Sequence, residues 1–204
     1  MRSETSARTR NPWGEGDRLR GEILDAASRL LSGLDGEDAL TIRGVARALG
    51  IAPASIYQHF SDRAALVQGL LEYEYERLGA AMREADARVG EADAVDRIRA
   101  QAHAYCSFAL ENPGLYRLMM NLGAQRAEAD QRPEGGPLVE LLDEFTLAFE
   151  RCEQAGHRLG LPVRRAAGLV LVTAHGSVLL AQGNRARAAA VQQFVDEALS
   201  LIFI

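Results

Sequence analysis

The sequence contains no lysine, so all 23 of its basic residues are arginine. It has only 2 cysteines, 6 prolines and 1 tryptophan among 204 residues. Cys106 and Cys152 form no Cys-x-x-Cys motif. With no signal peptide, this usage points to a reducing cytoplasm. The longest apolar run, Ala166 to Ala181, is interrupted by Thr173, His175 and Ser177 and falls short of the ~20 residues of a membrane span. A buried helix is expected there. The chain has no Gly-rich phosphate loop and no His-Glu-x-x-His, and Gly176-Ser177 lacks a Gly-x-Ser-x-Gly elbow, so the common motifs of catalysis are missing. Repeats and low-complexity tracts are missing too. Arginine grips phosphate or guanine with two parallel hydrogen bonds. It also replaces lysine on faces with no visible task, so genomic base composition is the simpler cause.

The chain is long enough for a small domain plus a larger one, and an apolar content of 48% is enough to build a core. The net charge of −5 is unevenly spread: residues 1–63 hold nine Arg and nine acidic residues, and residues 64–204 carry the whole deficit. A neutral front and an acidic body suit a front that meets DNA, although local patches count for more than sums.

The most informative stretch runs from Thr41 to Arg63. Thr41 is a good N-cap, and Ile42, Val45, Ala46 and Leu49 follow at helical spacing. Gly50 can adopt the left-handed conformation that ends such a helix. Ile51 and Ala52 make a turn, and Pro53 suits the first position of a second helix reaching about Phe60. Ile56 and Phe60 form its inner face. Ala54, Ser55, Tyr57, Gln58 and His59 are left outside, where small, hydroxyl, amide, aromatic and imidazole groups can touch base edges and phosphates. The pattern is a helix-turn-helix.

The order Leu40-Thr41, Arg43, Ala46, Leu49-Gly50, Tyr57, His59-Phe60, Arg63 and Leu66 resembles the DNA-binding domain of the tetracycline-repressor (TetR) family of bacterial regulators. The resemblance covers about Leu19 to Leu71 well. It implies that Arg43 reaches a guanine and that Pro53, Ala54 and Ser55 form the tip of the recognition helix. Tyr57 and His59 match the family's phosphate-contacting aromatics, with Thr41, Gln58 and Arg63 beside them. Arg63 stands where the family usually has lysine and keeps the charge. Further on, Glu111-Asn112-Pro113 and Tyr116-Arg117-Leu118-Met119 resemble a subclass of TetR-like C-terminal domains. That subclass typically carries Trp-x-x-x-His-Gly; here His175-Gly176 is present and Leu171 occupies the tryptophan position.

An all-α fold of about nine helices is expected, in three parts: a basic arm at 1–16, disordered alone; a DNA-binding domain at 17–65; and a helical ligand-binding and dimerisation domain at 66–204. Arg2, Arg8 and Arg10 in the arm could reach a minor groove, or the arm could be an idle tail. Ser61 is expected to cap a long helix beginning near Asp62 and shared between the two domains. Residues 125–136 read as the least ordered loop.

The resemblance implies a pocket in the body, and its candidate lining is Tyr105, Phe108, Tyr116, Met119, Met120, Phe145, Phe149 and His175. Ordinary core packing accounts for most of these equally well. Gly168, Val172, Val178, Leu179, Phe194, Val195 and Leu199 offer an apolar surface on the last two helices for a homodimer, because a two-fold DNA site needs two recognition helices. His103 and Cys106 lie one turn apart, but two ligands do not make a metal site, and a core cysteine beside a partly exposed histidine accounts for them. No metal or cofactor is implied. The expected partners are double-stranded DNA with a pseudo-palindromic operator, a second copy of the chain and a small, largely apolar effector, with no membrane. The reading is therefore a homodimeric repressor without catalysis. A ligand-independent or redox-responsive regulator and an α-helical enzyme with an incidental helix-turn-helix are the alternatives.

Overall fold

The computed structural model describes residues 15–32, 40–90, 93–119, 137–181 and 185–204. Residues 1–14 of the expected 1–16 arm, the 125–136 loop and Met120 lie outside the described residues, and Glu15 and Gly16 already belong to the first helix. Two compact units are present, Met1–Leu70 and Leu71–Ile204, and the division falls inside one long helix. Among the described residues there are nine helices and no strand beyond one isolated bridge.

In the first unit, α1 (Glu15–Ser32) buries Ile23, Leu24, Ala26, Ala27 and Leu31 at helical spacing. Helix α2 (Ile42–Leu49) begins where the Thr41 hydroxyl oxygen accepts the Gly44 N–H at 3.0 Å, which satisfies one of the unpaired amides of the first turn. It ends at Gly50, whose φ of 67° lies in the left-handed region, and the Ile51 N–H donates back to the Ala46 carbonyl at 3.0 Å. Pro53 then opens α3 (Pro53–Tyr57) at its first turn. This helix stops short of Phe60. The His59 and Phe60 N–H groups both donate to the Ile56 carbonyl, at 2.9 and 3.0 Å, so the last turn tightens and Phe60 drops into the core at 4% exposure.

Helix α4 (Arg63–Val89) is capped by Asp62 rather than by the expected Ser61. The Asp62 carboxylate accepts the Ala65 N–H at 2.8 Å, while the Ser61 hydroxyl donates to the same carboxylate at 3.2 Å. A carboxylate is the stronger acceptor for an N-terminal amide, which explains the preference.

Two glycines of this unit give a direct test of the packing. Gly50→Ala should cost ~1 kcal/mol because an L side chain is strained at that φ. At Gly69 an added Cβ would sit 2.7 Å from Cε1 of Phe60, so Gly69→Ala should cost ~1–3 kcal/mol by overpacking. Urea unfolding of both variants checks these values, and an unchanged midpoint for Gly69→Ala would refute the close approach.

The second unit holds the rest of α4 with α5 (Ala94–Glu111), α6 (113–119), α7 (Pro137–Gln154), α8 (Val163–Ala181) and α9 (Arg185–Ile202). By length and composition α8 could cross a membrane, but it packs against α5, α7 and α9 and buries Ala166, Ala167, Val170, Leu171, Ala174, Val178 and Ala181. Asp93 caps α5 through the Val95 N–H at 2.8 Å. The Asp86 carboxylate of α4 accepts from Arg97 of α5 at 2.6 Å and from Arg151 of α7 at 3.1 Å, tying three helices together. At the chain end, the Ile204 N–H donates to the Arg158 carbonyl at 3.0 Å and the Gly160 N–H to the Ile202 carbonyl at 2.8 Å.

Candidate nucleic-acid interface and interior site

In the first unit α2 and α3 present their polar residues outward. Arg43, Pro53, Ala54 and Gln58 are exposed, Tyr57 is 55% exposed, and Ser55 and His59 are half-buried. Ile56 holds this face in place from beneath, fully buried. Thr41 is exposed, and although its oxygen accepts the Gly44 amide, its O–H and a second lone pair are left for other partners. Arg63 is half-buried and its Nε donates to the Leu40 carbonyl at 2.9 Å, fastening the start of α4 to the entry of α2. Arg47 escaped the sequence reading. It is exposed one helical turn from Arg43, and that spacing puts both guanidiniums on one face of α2.

The second unit brings together three of the interior candidates. The Tyr105 hydroxyl lies 2.7 Å from Nδ1 of His175, and the Tyr116 hydroxyl donates to the His175 carbonyl at 2.8 Å. The Tyr116 and His175 rings are 5.2 Å apart. Burial pushes both phenols up and lowers the imidazole, so all three are uncharged at neutral pH. Tyr75 of α4 sits close enough to raise both phenols further, so four helices contribute to the cluster. Phe108 is half-buried beside the Arg77 guanidinium, 5.8 Å from its ring centroid, and Arg77 is itself held by the fully buried Glu74. Met119, Phe145 and Phe149 are buried, and Phe149 packs on Phe203, 5.9 Å between ring centroids. Gln101, also missed in the sequence, is buried on the same helix as Tyr105. The only signal was its place one turn before Tyr105 on an otherwise apolar face.

Both thiols are fully buried, and burial pushes Cys106 up to about 12 and Cys152 up to about 11. Neither has the thiolate character that redox sensing needs. His103 does not turn toward Cys106 as a ligand pair would: its Nε2 is 2.9 Å from the Asp196 carboxylate of α9.

The apolar surface of α8 and α9 differs from the one expected. Val178, Val195 and Leu199 are 0%, 0% and 1% exposed, consumed by packing within the chain, so they offer no surface to a partner. Val172, Leu179 and Phe194 are exposed at 69%, 55% and 54%, with Leu180 and Leu201 beside them at 70% and 82%. Gly168 is half-buried, and a Cβ added there meets nothing within 4 Å.

Residues 23–70 match the pattern described as bacterial regulatory proteins, tetR family. Residues 98–202, more than half of the chain, match the tetracyclin repressor-like C-terminal domain. The chain belongs to the tetR family of bacterial regulatory proteins. Within that family, it is 34% identical over 101 residues to the nucleoid occlusion factor SlmA of Vibrio campbellii (strain ATCC BAA-1116), a stretch covering 49% of this chain and 50% of that one. The chain thus spans about half the length of the curated relatives it matches. Among solved structures, a protein of unknown function from Rhodococcus sp. RHA1 is 31% identical, with 94% of this chain and 96% of that chain covered and a TM-score of 0.70. The ketosteroid transcriptional regulator KstR2 of Mycobacterium tuberculosis shares the fold, at 21% identity, 91% and 95% coverage and a TM-score of 0.63. As a TetR-family regulator, the chain has an all-α fold with an N-terminal helix-turn-helix and a C-terminal helical domain.

Proposed function

We propose that this TetR-family regulator is a homodimeric repressor that reads a pseudo-palindromic operator and is released from it by a small molecule bound in the 71–204 unit. The observation that carries this reading is the outward face of α2 and α3, with Arg43, Arg47, Ser55, Tyr57, Gln58 and His59 accessible over a firmly packed base. Arg43 suits a guanine edge, and Pro53 and Ala54 suit thymine methyls. Tyr57, His59, Arg47 and Arg63 suit phosphates, which position the helix without reading sequence.

The uncovered apolar side chains of α8 and α9 support a second copy as partner. Such a row is rarely left to solvent, and an isologous dimer covers it in both chains at once. The polar cluster of Tyr105, Tyr116 and His175 supports an effector site, since two buried hydroxyls and a half-buried imidazole among apolar side chains fix a ligand's orientation. Helix α4 begins in one unit and continues into the other, and an effector acts on DNA affinity only by preferring one state of that element. A tenfold loss of operator affinity needs ~1.4 kcal/mol of such preference, and operator must weaken effector binding by the same factor. The inert thiols favour an effector over redox control.

Selection of duplexes from a random pool, followed by titration of the winner, tests the DNA role. The double variant Tyr57→Ala/His59→Ala should bind the selected duplex and unrelated DNA alike about 100-fold more weakly, two charge-assisted contacts being lost. Arg43→Ala should instead relax preference at one base pair in each half-site. Wild-type affinity in the double variant would remove the DNA interface from this face.

A further inference from the structure

Helix α3 is anchored from one side only. Ile56 and Phe60 are 0% and 4% exposed, and Gln58 stands between them in sequence, about 200° round the helix from each. Gln58 keeps helical dihedrals, φ −71° and ψ −21°, and the Phe60 N–H reaches back four residues to the Ile56 carbonyl at 3.0 Å, so helical spacing holds through it. Gln58 therefore occupies the pole opposite the packed side, and it is exposed there. Ala54, one turn earlier, shares that pole and offers only a methyl group. Tyr57 and His59 lie about 100° to either side of it.

A helix ~10–12 Å across fills a major groove ~12 Å wide, which turns the pole to the base edges and the flanks to the phosphate walls. From Pro53 to Phe60 there is no Asp, Glu, Arg or Lys. Ser55 is half-buried, and a hydroxyl donates or accepts with any base. The Gln58 amide alone on this helix sets a donor beside an acceptor in one plane. Adenine presents the complement, N7 as acceptor beside the N6 amine as donor. Guanine shows two acceptors in the major groove, cytosine a donor and thymine an acceptor beside a methyl group, so each leaves half of the amide unpaired. A phosphate does the same, because it accepts and does not donate.

We propose that Gln58 selects one adenine in each half-site, its Nε2–H donating to N7 and its Oε1 accepting from the N6 amine. The inference rests on the reading of the α2 and α3 face as the DNA interface and gives that interface a base it must find. Tyr57 and His59 then position the helix on the backbone, and Gln58 decides the sequence beneath it.

Selection from a random duplex pool with the full chain tests this, run in parallel for wild type, Gln58→Ala and Gln58→Glu. Wild type should prefer A at one pair of each half-site. Gln58→Ala should lose that preference, about tenfold or more, with the rest of the motif unchanged. Gln58→Glu should move the preference at the same pair to C, because a carboxylate accepts from the cytosine N4 amine and is repelled by adenine N7. Against a phosphate wall the glutamate would instead weaken every duplex alike. Base analogues check the two bonds singly and need no variant to fold: with 7-deazaadenine, which lacks N7, or purine, which lacks the N6 amine, in one half-site, wild type should bind about fivefold more weakly. Gln58→Ala should bind analogue and parent duplexes equally. The same preferred base in wild type and Gln58→Ala, a base other than A at the affected pair, a uniform loss in Gln58→Glu, or full wild-type affinity for both analogue duplexes would each overturn the assignment and leave the DNA interface standing. A wild type that selects no sequence would remove both.

Discussion

Val172→Glu combined with Leu179→Glu is expected to turn a dimer into folded monomers and to lower operator affinity by at least ~1000-fold. The two positions are 69% and 55% exposed and lie two turns apart on α8, so the protomer itself loses almost no packing. In an isologous interface each change appears twice, and four carboxylates would face an apolar surface, or one another, across the symmetry axis. Burying an unpaired charge costs several kcal/mol even where relaxation helps, which exceeds what a modest apolar interface supplies. A monomer then brings one recognition helix to a site built for two, and roughly half of the specific contact energy goes. Sedimentation velocity reads the first effect and fluorescence anisotropy on a selected duplex reads the second. If the double variant still sediments as a dimer, the interface does not run through this face of α8, and Phe194 and Leu201 of α9 become the positions to charge.

The helix-turn-helix could be read from the sequence because each of its signals acts within its own turn. Thr41 caps the amide three residues on, Gly50 is needed where φ turns positive, and Pro53 needs only the neighbouring residue to be extended, as Ala52 is. The errors there were of the same local kind. Both Ser61 and Asp62 can cap, and the choice went to the stronger acceptor. The end of α3 depended on Phe60 reaching the core, which a periodic pattern continues straight through.

The body was less legible because α8 is apolar on nearly every face. Periodicity separates an inner from an outer face only when the outer one is polar. Val170 and Val178 are buried and Val172 and Leu179 are exposed, yet all four look alike in a hydropathy pattern. Only the positions of α5, α7 and α9 distinguish them. Gln101 illustrates the opposite difficulty. A single amide on an apolar face reads as a tolerated substitution, and that its Oε1 has no hydrogen-bond partner among the described residues becomes visible only when the neighbouring helices are in place. The meeting of Tyr105, Tyr116 and His175 is likewise tertiary, since 70 residues separate the first from the last.

The buried half of α8 and α9 supports a prediction of equal size and opposite character. In the Val172→Glu/Leu179→Glu background, where the chain is already monomeric, adding Val178→Glu or Leu199→Glu should destabilise the 71–204 unit by ~4–5 kcal/mol. Val178 and Leu199 are 0% and 1% exposed, so the new carboxylate must either enter the core uncharged, at the cost of raising its pKa, or force the helix pair apart. Against a typical stability of ~5–15 kcal/mol this is a large fraction, and at ~2–4 °C per kcal/mol the melting temperature should fall by roughly 10–20 °C. The monomeric background matters because dissociation alone lowers a dimer's apparent stability by mass action. Circular dichroism melts of the double and triple variants isolate the packing effect. The loss should shrink at low pH, where a glutamic acid side chain is neutral in the unfolded chain as well, because the folded state holds that carboxyl at a raised pKa and binds its proton first. A triple variant that melts like its monomeric parent would mean that Val178 and Leu199 face outward after all, and that the dimer surface extends to the face here described as core.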